Sequence, residues 1–231
     1  MEQKTYVFAG ASSYIAQAAA ALLTAQGHRV IGLTTKDTLS GYTEAYTVTD
    51  YNPGSYPAIE GAIHGLAYFP GSINLKPFNR LSTADFTTDF TVSALGAAGF
   101  VQAYLPNLKA AGNASVVFIS TVAVGTGMPF HASVAMAKGA LEGLTRSLAA
   151  ELAPHVRVNC VAPSLTETPL AAKLLGSPEK KTAAQLRNPL KKVGTPEEVA
   201  QPIAFLLQDN SAWITGQVLN TDGGMGSLRL L

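Results

Sequence analysis

The chain has 231 residues, of which 47% are apolar and only 13% charged, and its net charge is +1. This balance allows one large domain with a sizeable core and gives no electrostatic case for nucleic acid or an acidic surface. The lone Cys160 excludes an internal disulfide and agrees with a reducing cytoplasm, the opening MEQKTYVFAG is too short and too soon interrupted for a signal peptide, and no apolar run reaches the roughly 18 residues of a membrane span.

In chain order, Thr5 to Ala9 (TYVFA) reads as a buried strand ending at Gly10. YIAQAAAALLTAQG follows as a helix with Gly27 as its stop, and HRVIGLTT as a second strand. Strand, glycine turn, helix and strand within about 30 residues make a βαβ unit, which requires a parallel sheet. A short third strand is expected near Ala45–Val48, a short helix over 54–62 and a fourth strand over Gly65–Phe69. Thr83 to Ala111 reads as one long helix capped by Ser82 or Thr83 and closed by Gly112. Ser115–Ser120 is a fifth strand, a helix runs from after Pro129 to about Ala153, and VRVNCVAP is a sixth strand. Residues 165–192 are polar and irregular with helical pieces. Thr195, Pro196, Glu197 and Glu198 start a helix to about Leu207, and GQVLNTDGG is a last strand and turn.

Nearly all-apolar strands alternating with helices imply an α/β fold. The expectation is a single Rossmann-like doubly wound domain over 1–231, with a mostly parallel seven-stranded sheet and helices on both faces. Ligands bind such sheets beyond the carboxyl ends of the strands, so the loops after Ala9, Thr34, Phe69, Ser120 and Pro163 should converge on one cleft. His28, His64, His131 and His155 are scattered and show no metal-ligand spacing.

Ser120 to Lys138, STVAVGTGMPFHASVAMAK, resembles the active-site segment of the short-chain dehydrogenase/reductase family, in which a Ser is followed 13 residues later by a Tyr and 17 later by a Lys. Lys138 stands at the Lys position, Thr121 at the Ser position and Val134 at the Tyr position. Val158 to Ser164, Gly194 to Ala200, Ile214 to Gln217 and Asp222 to Gly224 resemble further segments of the family, and the likeness extends over nearly the whole chain. It implies that Lys138 holds the nicotinamide ribose, that Thr121 orients a substrate carbonyl, and, counting back from Pro106 and Gly96, that Ser93 occupies the place of a relay Asn. Val134 has no proton to give. His131 lies seven residues before Lys138, about 700° around a helix and so within about 20° of the same stripe. An imidazole there is a candidate acid, because enoyl reductases of the superfamily place a Tyr at that spacing. The other readings of His131 are a helix cap or a surface residue, and Ser133 is a weaker candidate acid.

The cofactor end follows the same resemblance. Gly10, Ser12, Ser13, Tyr14 and Ile15 form the turn before the first helix, whose free N–H groups suit a pyrophosphate. Of the family's three glycines only Gly10 is kept, with Tyr14 and Ala16 at the other two positions. After the second strand, Thr34, Thr35 and Lys36 suit a 2′-phosphate, and no acid precedes Asp37, so NADP(H) is favoured over NAD(H). The adenine side is assigned to Val48, Thr49 and Asp50. Phe69, Pro70 and Gly71 take the place of the family's Asn-Ala-Gly, and Ile119, Pro163, Ser164, Thr166 and Thr168 complete the expected cofactor set. The function implied is an NADP(H)-dependent oxidoreductase that reduces a carbonyl or activated C=C of a small molecule with an altered proton donor. The alternatives are an inactive NADP(H)-binding protein with a structural or regulatory role, and a different reaction on the same scaffold. Residues 165–192 are the expected substrate lid. The helices over 83–111 and 130–153 are the expected pairing surfaces of a cytoplasmic homodimer or homotetramer.

Overall fold

A computed structural model describes residues 2–36, 39 and 41–229. Seven strands form one sheet: β1 (Thr5–Ala9), β2 (Arg29–Thr34), β3 (Glu44–Thr47), β4 (Gly65–Tyr68), β5 (Ala114–Ile119), β6 (Val156–Pro163) and β7 (Val218–Thr221). Their order is β3-β2-β1-β4-β5-β6-β7 and every neighbouring pair is parallel. The inner strands β4 and β5 are buried at every position, whereas β3 and β7 at the edges are half-exposed. That difference follows from helices covering both faces, which favours continuous apolar runs over alternating ones.

On one face α1 (Tyr14–Thr24) and the last long helix pack together through Ala16, Ala19, Ala20 and Leu23 against Val199, Ala200 and Ile203. On the other face Phe100, Tyr104 and Leu108 share one apolar cluster with Leu141, Ala149 and Leu152. Replacing Phe100 by Ala would remove about 3–5 kcal/mol from this face.

The long helix expected over 83–111 is two helices, α2 (Thr83–Phe90) and α3 (Gly96–Ala111), joined by a π-helical turn at Thr91–Leu95. The ends are as the sequence implies. Ser82 and Asp85 form a capping box, and Gly112 closes α3 at φ 72°. Crowding marks the join: a Cβ on Gly96 would lie 2.2 Å from the Tyr68 hydroxyl, and that hydroxyl donates to the Val92 carbonyl at 2.5 Å. The helix expected over 54–62 does not form. Pro53 and Pro57 interrupt it, Gly54 and Gly61 take φ of 95° and 86°, and the segment is held instead by Tyr56, whose hydroxyl donates to the carbonyls of Tyr51 and Gly96 at 3.0 Å.

After β5 come a short helix α4 (Ala123–Thr126) and α5 (Ala132–Leu152). Residues 165–192 contain a 3-10 turn (Pro169–Ala171), α6 (Ala172–Leu175) and α7 (Pro178–Arg187), and α8 (Pro196–Leu207) opens on a Thr195–Glu198 capping box with Pro196 at its first position. No helix among the described residues is long and apolar enough to cross a membrane.

Candidate active site

The carboxyl ends of the strands frame one cavity of about 1080 Å³. At its β1–α1 end Gly10, Ser12, Ser13, Tyr14 and Ile15 line it. Gly10 is required by the backbone: its φ is +77°, and a Cβ there would stand 2.9 Å from Pro70 Cδ. Ser13 opens α1 without a side-chain cap, so the first-turn N–H groups keep no side-chain acceptor at the positive end of the helix. Ala16 is fully buried against the sheet. Tyr14 is half-exposed and also borders a smaller pocket of about 250 Å³ with Glu167, Thr168 and Lys181.

Beyond β2, Thr35 and Lys36 line the cavity. Thr34 does not: it is buried, and its Oγ1 accepts the Lys36 backbone N–H at 3.0 Å. Asp37 lies outside the described residues. The adenine-side candidates also fall elsewhere. Val48 is buried, Thr49 is exposed, and the Asp50 carboxylate accepts from Ser55 Oγ (2.5 Å) and Asn52 N (2.8 Å), so it caps its own loop. Tyr51 takes the lining position. Burial raises its phenol above the ordinary range, and the surrounding polar groups of Thr35, Gly10 and Thr34 oppose that shift. The signal for Tyr51 was present in the sequence as an aromatic directly after Asp50.

Phe69, Pro70 and Gly71 line the middle, beside Ile119. Lys138 is 6% exposed. Its Nζ donates to the Ile119 carbonyl at 2.7 Å and more weakly to Pro70 at 3.4 Å. No carboxylate among the described residues pairs with it, and burial lowers its pKa to about 8. Gly71 makes room for it, since a Cβ there would lie 3.0 Å from Nζ. Thr121, His131 and Val134 line the same cavity as Lys138. His131 is the N-cap residue of α5 rather than part of its first turn, and its Nδ1 lies 2.7 Å from the Pro129 carbonyl. The short step out of the helix still leaves His131 and Lys138 on one cavity. Ser133 is fully buried and away from the lining, with an unpartnered hydroxyl.

Ser93 is not among the residues that line the cavity. It is buried in the π-helical turn, and its neighbour Val92 lines the cavity in its place. The extra residue of a π turn rotates everything after it relative to an ideal helix. At the far end Pro163, Ser164, Thr166 and Thr168 line the cavity together with residues of the 165–192 segment. Thr166 is fixed there by a parallel bridge to Gly194. Among the described residues no cluster of His, Cys, Asp or Glu could hold a metal ion.

A parallel sheet whose order turns at β1 and β4, a left-handed glycine against an uncapped helix end, and a buried lysine below them define a dinucleotide-binding type of α/β protein. The donors, the room and the absence of acids among the described lining residues fit a nicotinamide dinucleotide. Residues 44–226 match the family model described as enoyl-(acyl carrier protein) reductase. A tropinone reductase homolog of Arabidopsis thaliana is 39% identical over 168 residues, 72% of this chain and 64% of that protein. The 3-oxoacyl-[acyl-carrier-protein] reductase FabG of Thermotoga maritima is 39% identical over 148 residues, 63% of this chain and 59% of that protein. The ligand-free aldohexose dehydrogenase of Thermoplasma acidophilum superposes with a TM-score of 0.90 at 26% identity, covering 100% of this chain and 96% of that one. The chain belongs to the short-chain dehydrogenase/reductase family of oxidoreductases. Its matched stretch spans 64% and 59% of the two curated relatives.

Proposed function

We propose that this protein is an NADP(H)-dependent oxidoreductase that reduces a carbonyl or activated C=C of a small molecule, with His131 as proton donor in place of the tyrosine that Val134 displaces. The observation that carries this reading is that Thr121, His131 and Lys138 all line one cavity. The uncapped start of α1 and the Gly10 turn suit the pyrophosphate, Thr35 and Lys36 a 2′-phosphate, Tyr51 the adenine, Lys138 the nicotinamide ribose, and Pro163 to Thr168 the carboxamide. When bound, the nicotinamide supplies hydride to the substrate carbon. Thr121 holds the substrate oxygen through its hydroxyl. The Pro129 carbonyl can only accept, so His131 donates to it from Nδ1, and the imidazolium form keeps its second proton on Nε2 for the developing oxyanion. Val134 forms a dry wall behind that oxygen, and residues 165–192 close over the substrate. The setting is cytoplasmic.

The test is fluorescence titration with NADPH and NADH, followed by NADPH oxidation with a panel of ketones and enones. Tighter NADPH binding with turnover is expected, and His131→Gln should lower kcat about 100-fold or more. Unchanged turnover in His131→Gln would remove His131 from the mechanism. A second reading, an NADP(H)-binding protein without chemistry, draws on Val134 and on a Ser93 that is not among the lining residues. Binding without turnover selects it, and no binding of either nucleotide sinks both.

A further inference from the structure

Among the described residues the cavity is lined by three cationic side chains, Lys36, Lys138 and Arg187, and by no Asp or Glu. The cofactor reading uses two of them. Arg187 is unused, and its position separates it from the others. It ends α7, one turn after Ala184, which also lines the cavity. The next residue, Asn188, donates its Nδ2 to the Asp222 carbonyl at 2.8 Å, which ties the end of α7 to the turn after β7. That turn carries the lining residue Met225, and it abuts Val122, since a Cβ on Gly226 would lie 3.0 Å from Val122 Cγ2. Arg187 is therefore held at the β5–β7 end of the cleft, whereas Lys36 follows β2. Five strand spacings of about 4.8 Å separate β2 from β7, or about 24 Å.

The only bond that the Arg187 guanidinium makes to the described residues is from Nε to the Ala183 carbonyl at 3.2 Å. No carboxylate among the described residues pairs with it. The nearer carboxylate on this segment, Glu179, sits in the first turn of α7 at the opposite end of the helix, and Glu167 is occupied by Lys181 at 2.7 Å and lines the smaller pocket. Leu170, Leu174, Phe130 and Met225 line the same cavity. A planar fork of free N–H donors at the end of an apolar wall is the arrangement that recognises a carboxylate on a hydrocarbon body.

We propose that Arg187 is a specificity-determining residue that binds the carboxylate of the substrate, so that the compound reduced is an oxo acid with an apolar spacer between carboxylate and carbonyl. The proposal rests on the oxidoreductase reading for its chemistry but not for its binding test. The first experiment is calorimetric titration of the full chain with hexanoate, which cannot be reduced, and with methyl hexanoate. Binding of the acid at least tenfold tighter than the ester is expected, with that preference lost in Arg187→Ala and partly kept in Arg187→Lys. The second compares kcat/KM for an aliphatic oxo acid and its methyl ester. The acid-to-ester ratio should exceed ten and fall at least tenfold in Arg187→Ala. Equal affinity for acid and ester, or a ratio that Arg187→Ala leaves alone, overturns the proposal. A preference for an alkyl phosphate over hexanoate of equal length overturns the carboxylate assignment. If hexanoate binds through Arg187 while no NADPH is oxidised, the anion site stands and the oxidoreductase reading is what fails.

Discussion

Lys138 keeps a charge in surroundings that disfavour it, and this makes its protonation measurable. The unfolded chain holds the proton up to about 10.5 and the folded protein only up to about 8. Between those values the unfolded state binds more protons, so this group makes stability rise with pH. Below about 8 the folded protein bears the whole penalty. Lys138→Met removes a penalty of at most about 3 kcal/mol and leaves the Ile119 carbonyl without its donor, which offsets about 1 kcal/mol. The variant should therefore be more stable than the parent near pH 7, and its advantage should shrink as pH rises from about 8 to about 10.5. Urea unfolding of both proteins across that range checks this, and parallel stability profiles would count against a penalised charge. The sequence made Lys138 legible because the segments on either side of it fix the register, and that register also points to Val134. It did not make Thr34 or Asp50 legible. Both are short polar residues that bond backbone or side chains within five positions of themselves, a competition that a list of residue types cannot resolve.

Apart from the helix read over 54–62, which does not form, the strands and the ends of the long helices were read from the sequence to within about three residues, because each strand is a short apolar run and each long helix carries its own punctuation. Ser82, Gly112 and Thr195 are examples. The π-helical turn at Thr91–Leu95 was not legible, since an insertion of one residue barely disturbs the apolar period and its anchor comes from β4. Tyr68 is fully buried, and its hydroxyl accounts for the Val92 carbonyl. Tyr68→Phe leaves that carbonyl buried without its partner, at about 1–3 kcal/mol. Thermal unfolding should show the loss as a melting temperature lower by several degrees. Backbone amides of 91–96 should exchange hydrogen faster than those of α5 in the same variant. Equal exchange in both helices would mean that the turn is held by other contacts.

At the scale of the whole molecule, the helices expected to pair with a second copy each carry an exposed apolar residue, Leu95 in the π turn before α3 and Met136 on α5, 45% and 50% exposed. The sole tryptophan, Trp213, is 100% exposed but sits between α8 and β7, on another part of the surface. Light scattering should find a dimer or tetramer that Met136→Glu dissociates and Trp213→Glu does not. The reverse pattern would move the interface to the β7 edge. Because every strand runs in one direction, the cleft occupies one rim of the sheet, and the turns at Gly27, Gly61 and Gly112 occupy the other, with open space around each glycine. The only native thiol, Cys160, is fully buried, and burial pushes its pKa up to about 12, so it does not compete for alkylating reagents. A cysteine introduced by Asn113→Cys on the far rim would be the sole addressable thiol. The protein could then be tethered to a solid support through that site with its cleft facing the solution.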